Sequence, residues 1–185
     1  MDAPPDDWDL LARASTDPCA LEQLFSRHRH YVFRLAWGLL QNDSDANDVV
    51  QDVFFKMQTG RLKAAPRARF TTWLYRVTIN TGREQGRRTR KTWGAAPAPE
   101  AADGLADAAA DPARLDARED LRRSLAALPL RQREVVLLRF FEGFDTQETA
   151  AILGCRAGTV KAHLHRATQT LRQVLSAPPN SGDPP

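Results

Sequence analysis

Arg76, Asn80, Arg83 and Arg87 recur at spacings of three and four residues, so a helix would stack them along one stripe. Arg88, Arg90 and Lys91 follow at its end. Like charges at this spacing repel, and a ladder of guanidinium groups around one amide suits a surface against which phosphates or bases lie. The plain alternative is a solvated basic helix. A second set follows in DTQETAAILGCRAGTVKAHLHRATQTLRQVL. Asp145 with Glu148 three residues on has capping-pair spacing, Ala150 is small, Gly154 can end a helix, and Val160 lies six residues beyond it. Two short helices crossing steeply need these types: a small residue at the contact, a turn residue tolerant of positive φ, and an apolar anchor early in the second helix. That second helix would bury Val160, Leu164, Ala167, Leu171 and Val174 and present Lys161, Ala162, His165, Arg166, Gln169 and Arg172 on its other side. Such a face suits the DNA major groove and phosphates, and Arg156, in the turn, is better placed to touch a phosphate than to read a base. His163 sits at the edge of the buried stripe, where packing and DNA contact are both open.

A third set is acidic. A helix over 45–58 places Ala46, Val49, Val50, Val53, Phe54 and Met57 on one stripe and projects Phe55 from the opposite side beside Asp48 and Asp52. An aromatic ring among carboxylates fits a protein-binding surface, unless another part of the chain covers it. Covalent chemistry finds no support: the sequence has no Gly-rich phosphate loop, no HExxH and no GxSxG. The pairs His28/His30 and His163/His165 are two residues apart and point to different sides of a helix, so no metal is expected, and no cofactor. Cys19 and Cys155 form no CxxC pair, which excludes a disulfide framework or zinc ribbon and suits a reducing, cytoplasmic setting. Apolar runs stop at four or five residues, where a spanning helix needs about 20.

The elements that would carry these sets are all helical. Leu21, Leu24, Phe25, Val32, Leu35, Ala36 and Leu39 mark an amphipathic helix over 20–40, with Asp17-Pro18 as its cap and first residue. Asp43, Ser44 or Asp45 is available to cap the helix that follows. A proline-bearing connection, 59–69, leads into a long helix from Phe70 to Lys91 that turns Phe70, Trp73, Leu74, Val77 and Thr81 inward; Trp73 fits the core better than a base-stacking platform. The Ala, Pro and Asp stretch from Gly94 to Pro112 holds one Leu and cannot offset the entropy of ordering it, so it reads as a linker. Fully extended, its 19 or so residues would reach about 60 Å. Beyond it, a helix runs toward Leu128, Pro129 breaks it, and Gln132 to Glu142 forms another with Val135, Leu138 and Phe141 inward.

The expected architecture is all-α: an N-terminal tail (1–17), a helical bundle (18–92), a linker (93–113), a helix-turn-helix domain (114–177) and a disordered tail (178–185). Charge alternates accordingly. Residues 1–60 carry 5 Lys/Arg against 10 Asp/Glu, 61–95 carry 10 against 1, 96–120 carry 2 against 7, and 121–185 carry 9 against 5. Two basic blocks separated by acidic ones suit two contacts with a polyanion.

DANDVVQDVFFKM, RFTTWLYRVTINTGREQGRRTRK and LAALPLRQREVVLLRFFEGFDTQETAAILGCRAGTVKAHLHRA, in that order, resemble the bacterial sigma factors of the extracytoplasmic function class. The resemblance covers roughly residues 18–177. It implies a two-domain subunit that joins core RNA polymerase, with Asp48, Gln51, Asp52 and Phe55 docking on the clamp helices of the largest polymerase subunit. It implies that Arg76, Asn80, Arg83, Arg87 and Arg88 recognise and melt the minus-ten element, and that Arg156, Thr159, Lys161, His165 and Arg166 read the minus-35 element. Promoter DNA and an anti-sigma factor are the further partners it implies. Two departures leave sequence preference open. KAAPRAR, before Phe70, lacks the aromatic or acidic residues that many relatives use to capture a flipped base, and Ala162 and His163 stand where relatives often have Ser and Arg. A regulator that uses the helix-turn-helix without joining polymerase is the rival reading, and it leaves the basic ladder at 76–91 unexplained. Inhibition of DNA binding by the acidic linker or N-terminus is a further possibility of the sequence.

Overall fold

The computed structural model describes residues 5–62, 68–93 and 112–176, all helices and short connections with no strand among them. The tail at 178–185, most of the linker and residues 63–67 of the connection before Phe70 lie outside the described residues. Two compact units result, Met1–Gly104 and Leu105–Pro185.

In the first unit α1 (Asp7–Arg13) precedes α2 (Pro18–Leu40), α3 (Asp43–Gln58) and α4 (Phe70–Trp93). Helix α2 starts as its sequence dictates: Asp17 accepts from the Cys19 amide at 2.9 Å, and Pro18 occupies a position whose missing N–H costs nothing. It stops at Gln41, which turns left-handed at φ 58° and donates from its side chain to the Gly38 carbonyl at 2.9 Å. The next helix is capped by Asn42, whose side chain accepts from the Asp45 amide at 2.8 Å. The capping residue is thus one before the three candidates. The extended backbone at Asn42 allows the cap, while Asp43 and Asp45 lie inside the first turn, where their charges favour the helix dipole. Helix α4 packs closely on the end of α2 because Gly82 and Gly86 face it: a Cβ there would meet Leu39 at 3.3 Å and Leu40 at 3.1 Å. Leu24, Val32, Leu35, Val49, Val53, Met57, Phe70, Trp73 and Leu74 form the core.

Within the stretch expected to be an N-terminal tail, α1 folds over Asp7–Arg13, and Leu10 and Ala14 are buried. Seven residues carry too weak a propensity to announce themselves, and tertiary contacts hold the helix.

The second unit comprises α5 (Pro112–Ala126), α6 (Leu130–Val136) continuing into a wider π turn (Leu137–Phe141), α7 (Thr146–Leu153) and α8 (Ala157–Ser176). Across the Pro129 break, Arg133 donates to the Ala126 and Leu128 carbonyls at 3.2 and 3.1 Å, serving groups the helix end would leave open. Val135 and Leu138 are buried, but Phe141 is half exposed, against the inward position its spacing implies. The cause is the π turn: the Glu142 amide reaches back five residues to Leu137, which changes the angular step and swings Phe141 outward. Leu164, Leu171 and Val174 are half-buried; Val160 and Ala167 are fully buried. No helix among the described residues is long and apolar enough to cross a membrane.

Candidate nucleic-acid and protein interfaces

A ladder of polar contacts ties the later turns of helix α4 to α3. Asp45 accepts from Gln85 at 2.9 Å and from Thr89 at 3.0 Å. Asp48 accepts from the same Gln85 amide at 3.1 Å. Lys56 donates to Thr81 at 3.1 Å and pairs with Glu84 at 3.3 Å. With Trp73, Leu74 and Thr78 turned into the core, the opposite side of α4 is its outer face. Arg76, Asn80 and Arg87 are exposed there, and Arg83, half-buried, donates to Asn80 at 3.2 Å. Arg88 stands off this stripe: it faces α3, with its guanidinium 3.5 Å from Asp52.

The acidic set separates in a similar way. Asp48 and Asp52 reach toward α4, while Gln51 and Phe55 face outward. Phe55 is 51% exposed and carries the Arg61 guanidinium 5.7 Å from its ring centre. A second exposed aromatic is a residue the sequence pattern assigned to the interior. Phe25 of α2 is 38% exposed, packs edge-on against Phe54 at 4.9 Å and has Arg29 over its ring. Leu24 fills the core position, and its neighbour, 100° further round the helix, takes the rim. Gln85 and Thr89 were missed as well, because nothing in a single helix marks which polar residues face a neighbour.

In the second unit the helix-turn-helix is built as its spacing implies. Asp145 accepts from the Glu148 amide at 2.8 Å and Glu148 accepts from the Asp145 amide at 2.9 Å, a reciprocal cap that starts α7. Gly154 ends it at φ 66°, a left-handed conformation that costs a side-chain-bearing residue more. Ala150, Val135 and Val160 meet in the core beneath the turn, and this contact fixes α8. Thr159, Lys161, Ala162, His165, Arg166, Gln169 and Arg172 are consequently exposed together, with Arg156 just before the helix. His165 and Gln169 approach at 3.2 Å. His163 is half-buried, and its Nδ1 is enclosed without a hydrogen-bond partner. The buried Glu134 is ion-paired with Arg131 at 3.3 Å.

Among the described residues no group of three or more His, Cys, Asp or Glu side chains is placed to hold a metal ion. The described residues thus expose a stripe of arginines and Asn80 on α4, a polar and basic side of α8, and the rings of Phe25 on α2 and Phe55 on α3.

Comparison with known proteins gives these surfaces a context. Residues 24–92 match the family described as sigma-70 region 2, and residues 118–171 match sigma-70 region 4. The ECF RNA polymerase sigma factor SigM of Mycobacterium tuberculosis is 30% identical over 166 residues, covering 90% of this chain and 82% of that protein. The RNA polymerase sigma-E factor of Streptomyces antibioticus is 34% identical over 155 residues, covering 83% of each. Among solved structures, CnrH in complex with the cytosolic domain of CnrY superposes with a TM-score of 0.68 at 27% identity, covering 94% of this chain and 99% of that one.

Proposed function

Since the chain belongs to the extracytoplasmic function class of bacterial RNA polymerase sigma factors and directs promoter-specific transcription with that enzyme, we propose how its surfaces divide the work. The outer stripe of α4, Arg76, Asn80, Arg83 and Arg87, engages and helps melt the minus-ten element. The exposed side of α8, with Arg156, Thr159, Lys161, His165 and Arg166, reads the minus-35 element. The rim of Phe55, Gln51 and the flanking Asp48 and Asp52 docks on the polymerase clamp helices, and Phe25 extends it.

The observation that carries this reading is the construction of α4: its inner face is tied to α3 by Asp45, Asp48 and Lys56, which leaves the arginine stripe outward. A helix held so firmly on the docking helix would pass polymerase binding directly into the placement of the stripe. Arg88 takes a secondary part here, since it is shared with Asp52.

Opening the strands requires no covalent step by this chain. An unstacked base held on a protein surface returns about 1–3 kcal/mol, comparable with the few kcal/mol that unstacking costs, so capture biases the equilibrium toward open DNA. The chain works where the polymerase does, in the cytoplasm, and an anti-sigma partner holds it inactive; a likeness to CnrH, whose structure includes the cytosolic domain of CnrY, supports the latter. Run-off transcription with purified core polymerase tests the assignment: alanine at Arg83 should lower open complexes on a given promoter, and alanine at Lys161 should weaken promoter binding while leaving core binding intact. Wild-type promoter activity in both variants would overturn it.

A further inference from the structure

Helix α1 makes its contacts in two places only loosely connected in sequence. On one side Asp7 accepts from Arg27 at 2.8 Å, approaches His28 Nε2 at 2.8 Å, and lies beside the Pro5 carbonyl that Arg27 also reaches at 3.0 Å. On the other, the indole N–H of Trp8 donates to the Ala68 carbonyl at 3.3 Å, just ahead of α4. The same indole packs on Phe70 at 5.2 Å and on Trp73 at 5.3 Å, in the first turn of that helix. His28 closes the cluster from α2, 5.1 Å from Phe70.

The rest of α4 has other supports. Thr81, Glu84, Gln85 and Thr89 are bonded to α3, and Gly82 and Gly86 seat against α2. These fix the later turns. The first turn, from which Arg76 follows Trp73 by three residues, shares its aromatic packing between Trp8 of α1 and His28 of α2, and α1 alone supplies the hydrogen bond to the Ala68 carbonyl ahead of it.

We propose that α1, through Trp8, is a positioning element for the promoter-reading face of α4, setting the angle at which that face begins. Trp8 touches no base; it acts through Ala68, Phe70 and Trp73, and Asp7 anchors it to α2. The proposal rests on the assignment of the α4 stripe to the minus-ten element.

The test uses the full chain with core polymerase and a promoter library randomised across the minus-ten element. Trp8→Phe keeps a ring against Phe70 and Trp73 but removes the indole donor; Asp7→Asn keeps shape and removes the charge shared by Arg27 and His28. For each variant, core affinity and binding to a duplex probe carrying only the minus-35 element should stay at wild-type values. The spread between the best and worst minus-ten bases should narrow about five-fold, the worth of a hydrogen bond of ordinary strength. Unchanged base preference in both variants overturns the proposal. A parallel loss of core binding and opening also overturns it, because that is what a helix serving only to support the fold would give. A wild-type protein that melts promoters without dependence on Arg83 or Arg87 would instead remove the assignment of the stripe beneath it.

Discussion

Arg83 bonds Asn80 at 3.2 Å, which orients that one guanidinium, and Arg76 and Arg87 extend the exposed stripe in both directions. An arginine on a phosphate releases about one counterion, so Arg83→Ala or Arg87→Ala should reduce the salt slope of promoter binding by about one and lower permanganate reactivity in the minus-ten region. A footprint identical to wild type in both would remove the stripe from the mechanism. The proposed docking rim makes a separate demand. Phe55 is half exposed and supports little of the core, so Phe55→Ala should leave thermal stability near wild type while weakening core polymerase binding by about 2 kcal/mol, the range of an aromatic interface anchor. Combined with Asp52→Ala the loss should deepen. Unaltered co-purification with core enzyme would refute the docking role.

Helix boundaries were most legible where a cap announced them. Asp17-Pro18 and the Asp145, Glu148, Gly154 set each combine a side-chain acceptor or turn residue with an apolar period, and all serve as read. Asp145→Ala should therefore cost the second unit about 0.5–2 kcal/mol, measured by denaturant unfolding. No change would show that Glu148 alone sustains the start of α7. The outer faces of α4 and α8 were legible for a related reason, since a helical period alone tells which residues share a side. What a period cannot tell is what the neighbouring helix offers. Phe25 at the rim, the Asp45 to Gln85 and Thr89 bonds, and the two ends of α1 all depend on partners distant in sequence. The outward swing of Phe141 depends on a backbone bonding pattern that no side chain signals. Asn42 displaced the cap candidates Asp43, Ser44 and Asp45 because cap choice follows backbone φ and ψ at a single residue.

Across the whole molecule, charge alternates in sign along the sequence. The acidic first stretch supplies α3 and its rim, and the basic stretch that follows supplies the α4 stripe. A second basic stretch supplies α8. Removal of residues 1–17 cannot test inhibition by the N-terminus cleanly, since it also strips Leu10 and Trp8 from the first core and uncovers Phe70 and Trp73. Neutralising Asp103, Asp107 and Asp111 of the acidic spacer is the cleaner probe, and an inhibitory spacer would raise promoter affinity on neutralisation.

The most direct test of the account is transcription by the purified full chain with core polymerase on a promoter library, with start sites mapped at nucleotide resolution. The account predicts RNA chains beginning at defined positions downstream of a shared pair of elements, the upstream one lost with α8 substitutions and the downstream one with α4 substitutions. Starts scattered as with core enzyme alone would contradict it.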